Sequence, residues 1–484
     1  MNDNKYTDNN KEIQGITDMT PHPDVPGWTI RFNAWRKRNI PDLLFLIILS
    51  IITGLIAGFA AFLFKTLISL ISKQFISRIE DHTFNWWIII VPVAGILITG
   101  IFTRYIVRTN LTHGVAQLMR DIKHKTFRLR HNITFSPIVG GSITLGMGGS
   151  SGAEGPIAYT GAAIGSNIAQ FLGLDKNMMK TLVGCGTSAG IAGIFSAPIG
   201  GLMFGLELLH IDLSVNAILA TVTACLTAYL TVFACKGFNP DLTFLPNESY
   251  TTEMIPLVLL LGVFCGLYCL YYSSITSRLD TFYKKISNPW IRNITGGLFI
   301  GTILFLFPSM FSVGYPVIGD VINGDGIAIT KGSIIETFNL GDWSLMATAI
   351  GILLCKCWAV ASTNSSGGVG GDFAPTFFAG SIAGFLFATF CNHYFDTQLP
   401  VGVFAYLGMA GVMAGAIEAP LMTIFITLEM TQTYRFSLPI VLCVMTSYVF
   451  VKGTAWLCGH HHPMVIHHRW FSHERPESTV NSKS

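Results

Sequence analysis

Glu154 is a single carboxylate standing where a glycine-rich loop runs into an apolar helix, in Gly146-Met147-Gly148-Gly149-Ser150-Ser151-Gly152-Ala153-Glu154-Gly155-Pro156. Gly152 and Gly155 let the backbone turn sharply and bring amide N–H groups close to a guest. Pro156 suits the first turn of a helix, and the pattern predicts one over about 157–171. Free amides and the positive dipole end make such a start an anion site. Two readings of Glu154 follow. It competes with a passing anion for those amides, or it is simply a favourable carboxylate at a helix start.

A second loop of the same kind is Ser365-Ser366-Gly367-Gly368-Val369-Gly370-Gly371-Asp372-Phe373-Ala374-Pro375. Pro156, Gly161 and Gly165 recur at identical spacing as Pro375, Gly380 and Gly384. Gly193, Ala197-Pro198 and Leu206-Glu207 recur as Gly415, Ala419-Pro420 and Leu428-Glu429. Two structural repeats are expected, and two facing helix starts would build an anion cradle from backbone amides. Transporters commonly bind substrate between such halves, at the ends of broken helices.

The elements that must carry these loops are apolar. Of 484 residues 51% are hydrophobic and 12% charged, against about 25% charged in soluble domains. Runs at 42–63, 86–102, 255–272, 346–360 and 437–448 predict an all-α polytopic membrane protein. With 49 Gly and 20 Pro, many helices are expected to break inside the protein. The expected organisation is an N-terminal segment 1–40, a first membrane repeat 41–235, a linker 236–252, a second repeat 253–458 and a His-rich tail 459–484. Segment 28–35 reads as amphipathic at the membrane surface. Arg36, Lys37 and Arg38, and the basic stretch from Arg104 to Arg130, place both of their loops in the cytoplasm by the positive-inside rule. The net charge of +3 decides nothing. The ten cysteines form no CxxC pair and read as small core residues.

These residues resemble the CLC family of chloride channels and chloride/proton exchangers. Gly152-Ala153-Glu154-Gly155-Pro156 is similar to the family's gating-glutamate motif, and Gly370-Gly371-Asp372-Phe373-Ala374-Pro375 to its Gly-Gly-Ile-Phe-Ala-Pro motif. Phe195-Ser196-Ala197-Pro198 through Glu207, and Ala419-Pro420 through Glu429-Met430-Thr431, resemble a further pair, so four motifs fall in order over about 105–440. The resemblance implies a CLC-type fold of two inverted repeats and a homodimer with an anion pathway in each subunit. It implies that Glu154 is the external gate, holding the anion site when ionised and leaving it when protonated. Gly152, Gly155, Gly371, Asp372 and Phe373 would line the anion path. Both termini would be cytoplasmic, in a bacterial inner membrane, with no cofactor and with chloride as bound substrate.

Departures from the family pattern bear on what passes. His113, followed by Gly114, stands where the family has an anion-binding serine, and Ala116 replaces a proline. A histidine can donate an N–H to an anion and charge near neutral pH; it can equally be a helix-end residue facing the cytoplasm. No tyrosine follows Tyr448, so the family's late tyrosine ligand is replaced by a residue near Met464 and Val465. Asp372 replaces an apolar residue, and the expectation is that it caps its own helix and points away. Leu208 stands where exchangers commonly carry an internal proton-passing glutamate. Chloride/proton antiport and passive voltage- or pH-gated conduction both stay open, as does the anion: chloride, fluoride or nitrate. Lys356 is expected to snorkel or pair internally, and Glu207 and Glu429 to be structural at helix ends. His460, His461, His462, His467, His468 and His473 offer imidazoles to a metal. They support one rival class, a membrane-embedded metalloenzyme, and otherwise read as a solvated tail.

Overall fold

A computed structural model describes residues 27–79, 86–108, 111, 118–119, 127–210, 214–237, 242, 244, 250–337 and 342–457. Among these the chain is helical apart from one two-residue bridge. The first half holds α1 (Gly27–Asn39), α2 (Asp42–Ile79), α3 (Trp87–Ile101), α4 (Ser136–Gly146), α5 (Glu154–Phe171), α6 (Lys176–Phe195), α7 (Pro198–Glu207) and α8 (Val215–Cys235). The second half holds α9 (Ile255–Lys285), α10 (Pro289–Leu306), the short α11 (Tyr315–Ile322), α12 (Ile327–Thr330) and α13 (Ile334–Thr337), then α14 (Asp342–Ser366), α15 (Phe373–Phe395), α16 (Val401–Ile417), α17 (Pro420–Thr431) and α18 (Ser437–Leu457). Nine helices among the described residues are long and apolar enough to cross a bilayer. The chain is an integral membrane protein.

Lipid-facing and protein-facing helices separate by composition. α2 exposes Leu44, Ile48, Ile51, Leu55 and Phe59 while Ala57, Ala61 and Phe64 pack inward. α5 is different: every residue from Glu154 to Ser166 is buried. Such a helix can begin inside the protein because neighbouring backbone, not lipid, meets its open end. Small residues allow the approach. A side chain at Gly161 of α5 would strike the carbonyl of Gly186 in α6, and one at Gly380 of α15 would strike that of Gly408 in α16. The two halves repeat this packing.

Several helices run past the apolar segments that announce them. α9 continues from 272 to Lys285, with Asp280 and Tyr283 bonded to α14 and Arg278, Thr281, Lys284 and Lys285 exposed, and α2 extends to Ile79. Segment 181–209 divides into α6 and α7, with Ser196 left-handed at φ 54° and Pro198 at the new start. α5 begins at Glu154, three residues before the expected 157, so Glu154 itself belongs to the first turn. In α1, Trp28 and Trp35 are exposed, as expected of a surface helix, and Asn33 Nδ2 donates to the Leu172 carbonyl at the end of α5 (2.9 Å). Arg36 pairs with Asp42. At one end of the molecule Tyr105, after α3, stacks on Trp290 of α10 and Arg104 lies over the same ring; at the other, Trp86 stacks on Phe305. α3 and α10 are therefore antiparallel.

Candidate functional site

The two glycine loops are latched to each other by reciprocal bonds. Gly152 N–H donates to the Gly371 carbonyl and Gly371 N–H to the Gly152 carbonyl, both at 2.8 Å. One turn earlier, Ser150 N–H donates to Thr363 Oγ1 (3.2 Å) and Val369 N–H to Thr144 Oγ1 (3.1 Å). Each loop leaves its preceding helix through a glycine of positive φ, Gly148 at 90° and Gly367 at 125°. All of these pairs are related by one offset, the 219 residues that also separate Glu154 from Phe373. A two-fold-related pair of loops thus presents the starts of α5 and α15 to one point. Ser151 Oγ tightens the latch by donating to Asn364 Oδ1 (2.7 Å) and to the Gly371 carbonyl (2.8 Å).

Glu154 occupies that point. Its carboxylate is 1% exposed, and Oε1 accepts the Phe373 N–H at 2.6 Å. It lies between its own helix start and the first amide of α15, where two positive dipole ends converge. Oε2 is buried without a hydrogen-bond partner. Glycine is required around it: a side chain at Gly152 would overlap the Glu154 carboxylate, and one at Gly371 would overlap Oε1 and come within 2.9 Å of Gly155 N. A carboxylate bound to a helix-start amide holds the place an inorganic anion would take.

Charged and aromatic side chains complete the setting. Lys356 of α14 is fully buried; its Nζ donates to Ser150 Oγ (2.8 Å) and sits 4.4 Å from the centre of the Phe378 ring. The expected internal pairing of Lys356 is therefore with a hydroxyl and an aromatic face, and among the described residues no carboxylate lies within ion-pair distance. Phe373 is 1% exposed and its ring meets Phe204 of α7 at 6.0 Å. Asp372 departs from the expectation that it caps its own helix, since no side-chain cap bond forms there. Its carboxylate is drawn sideways, accepting from Asn364 Nδ2 at 3.0 Å.

Glu207 and Glu429 face each other's helices in a second reciprocal exchange. Glu207 accepts the N–H groups of Leu421 (3.1 Å) and Met422 (2.8 Å) at the start of α17, and Glu429 those of Ile199 (3.0 Å) and Gly200 (2.8 Å) at the start of α7. Each carboxylate satisfies orphan donors at the other repeat's helix start. Leu208, next to Glu207, is 1% exposed in the apolar core. His113, Gly114, the tail histidines and the region of Met464 and Val465 lie outside the described residues. Among the described residues no three His, Cys, Asp or Glu side chains group to hold a metal. Sequence reasoning missed Thr144, Thr363, Ser151 and Asn364, which fasten the loops. Thr144 and Thr363 share the offset of 219, so aligning the repeats residue by residue would have found them.

The sequence matches the Voltage gated chloride channel family over residues 94–452. A chloride channel protein described as ClcB-like, from Ralstonia nicotianae, is 28% identical, over 76% of this chain and 83% of its own length. The H(+)/Cl(-) exchange transporter ClcA of Vibrio parahaemolyticus is also 28% identical; the match covers 65% of each chain, slightly less than two thirds of that relative. Among solved structures, a slow cyanobacterial Cl-/H+ antiporter superposes with a TM-score of 0.73, covering 89% of this chain and 99% of the other at 20% identity, which is a likeness of fold.

Proposed function

This chain belongs to the Voltage gated chloride channel family, and from that membership we propose that it moves chloride or a similar small anion through a pathway gated by Glu154, in exchange for protons. It is a transport protein and not an enzyme, as the names of its relatives indicate. The observation that carries the reading is the 2.6 Å bond from Phe373 N–H to the Glu154 carboxylate, at the meeting of two helix starts. With Glu154 ionised, its carboxylate fills the anion site and blocks the path. Protonation removes the charge that the amides and dipoles attract, the side chain leaves, and an anion takes its place. One group thus alternates between proton and anion, which is the minimum an exchanger needs. The buried Lys356 fastens the first loop through its bond to Ser150 Oγ.

In this reading the protein is a homodimer with a pathway in each subunit, and Gly152, Gly155, Gly371, Asp372 and Phe373 contribute backbone to the anion site. His113 and Gly114 stay an expectation of the sequence pattern, His113 standing where the family has its anion-binding serine. No cofactor is needed, and chloride is substrate. The membrane is the bacterial plasma membrane with both termini cytoplasmic, supported by the basic residues in the last turn of α1 and after α3 and by relatives from Ralstonia and Vibrio. Passive conduction is the competing reading, and Leu208 is what favours it, because a leucine cannot relay a proton. Glu154→Gln tests the gate in proteoliposomes: anion flux should rise and lose its dependence on pH. Unchanged flux with unchanged pH dependence would remove Glu154 from that role.

A further inference from the structure

An apolar span rarely carries a line of polar side chains, because each costs free energy to bury and is retained where it does work. α9 carries one. Tyr272, Thr276, Asp280 and Lys284 recur at intervals of four and so share one stripe of the helix. They are 0%, 8% and 6% exposed down to Asp280, and the Lys284 side chain is then 60% exposed. The stripe runs from solvent to the protein interior along the seam with α14.

The seam is hydrogen-bonded along its length. Lys284 Nζ pairs with Asp280 Oδ2 at 2.8 Å, and Ser365 Oγ of α14 donates to Asp280 Oδ1 at 3.1 Å. Tyr283 donates to Ser362 Oγ at 3.2 Å. Beside Ser365, Asn364 Nδ2 holds Asp372 Oδ1, and the next residue's N–H holds Glu154. The Tyr272 hydroxyl is fully buried without a hydrogen-bond partner, and it lies within electrostatic reach of both Asp372 and Glu154. Among the described residues two buried polar atoms in electrostatic reach of Asp372's carboxylate or its neighbours, Tyr272 Oη and Glu154 Oε2, have no hydrogen-bond partner. Other titratable groups around this path include Lys356 and Cys357 of α14, Tyr268 of α9, whose ring lies 6.3 Å from that of Tyr272, and Tyr315 of α11, the last within reach of Glu154. The exposed end of the stripe belongs to the basic end of the molecule, since α9 leads there directly into α10, whose Trp290 meets Arg104 and Tyr105.

We propose that this seam is a proton route to Glu154 that takes the place of the glutamate absent at Leu208. The inference rests on the exchange reading above. A proton from water adds to the Asp280 carboxylate beside Lys284. The hydroxyls of Ser365 and Tyr272, with water bridging the gaps, accept one proton and give up another. The Asp372 carboxylate receives it and passes it to Glu154, whose neutral carboxyl then leaves the Phe373 amide. No electron moves, and one proton enters for each one delivered. Asp280 and Tyr272 are positioning and relay groups; they do not touch the anion.

The test uses the full chain in proteoliposomes, with chloride and proton fluxes recorded together under an imposed chloride gradient. Asp280→Asn and Tyr272→Phe should each lower proton flux at least tenfold while chloride flux, which Glu154 still admits when protonated from the opposite side of the membrane, stays within about twofold, and Asp280→Glu should restore proton flux. An unchanged proton-to-chloride ratio in both variants overturns the route. So does a parallel fall of both fluxes in Asp280→Asn that Asp280→Glu does not rescue, which marks the seam as structural, and so does a native protein that moves no protons. Glu154→Gln, run alongside, reports on the gate separately: if it keeps native flux and native pH dependence, the gate reading fails whatever Asp280→Asn does.

Discussion

Gly152→Ala should open the gate without touching the gating residue. Gly152 does not need a positive φ, so alanine is tolerated by the backbone, but its methyl group would overlap the Glu154 carboxylate. The side chain must then surrender the Phe373 bond of 2.6 Å. A hydrogen bond to a charged group contributes about 1.5–3 kcal/mol, so the blocked population falls by roughly tenfold to a hundredfold relative to the open one. In proteoliposomes the native protein should carry anions faster as the pH falls, whereas Gly152→Ala should be fast and nearly flat with pH. The effect should act through the carboxylate: on a Glu154→Ala background, adding Gly152→Ala should change flux less than twofold, in the manner of a double-mutant cycle. A native pH profile in folded Gly152→Ala would refute the reasoning. A flux below that of the native protein would do the same, since the methyl would then obstruct the path instead of clearing it.

Other outcomes follow from the same geometry. Glu429→Ala and Glu207→Ala should each cost about 1–3 kcal/mol, read as thermal unfolding in detergent, because each carboxylate accepts two N–H groups at the start of the other repeat's helix; no loss in either variant would contradict the mutual capping. Lys356→Met should remove the 2.8 Å bond to Ser150 Oγ and lower stability by about 1 kcal/mol, read as thermal unfolding in detergent, and an unchanged value would exclude a fastening role. At the end of α8, burial first and the neighbouring Lys65 second pull Lys236 down to about 6. The unfolded chain thus binds more protons there between that value and the ordinary lysine range, so stability rises with pH across this window. Lys236→Met should therefore raise the unfolding temperature most at about pH 6 and least near pH 10; a gain that grows with pH would reverse the assignment.

Much of this arrangement is legible in the letters, and what is not has a physical reason. Glycine loops running into apolar helices, and the recurrence of Pro156 as Pro375 and Glu207 as Glu429, depend on local residue type and spacing, so the repeats and the loop pairing can be read directly. Apolar runs locate spans but underestimate their length where a helix turns a polar face to protein, as α9 does from Tyr272 to Asp280. Side-chain direction is the harder quantity. Asp372 was expected to cap its own helix, yet Asn364, eight residues earlier on α14, competes for it and wins. Nothing local in the sequence records that α14 ends beside the loop it feeds. Glu207 and Glu429 are similar: identical spacing shows that they are equivalent, and only the folded contact shows that each serves the other's helix.

The central claim is that one carboxylate, Glu154, alternates between proton and anion. It is tested most directly by sealed proteoliposomes holding the native protein, with a chloride gradient and no initial pH difference. Chloride flow should drive protons uphill in the opposite direction, and Glu154→Gln should abolish the proton movement while chloride still crosses. Fast chloride flux with no proton movement in the native protein, or proton movement that survives in Glu154→Gln, would contradict it.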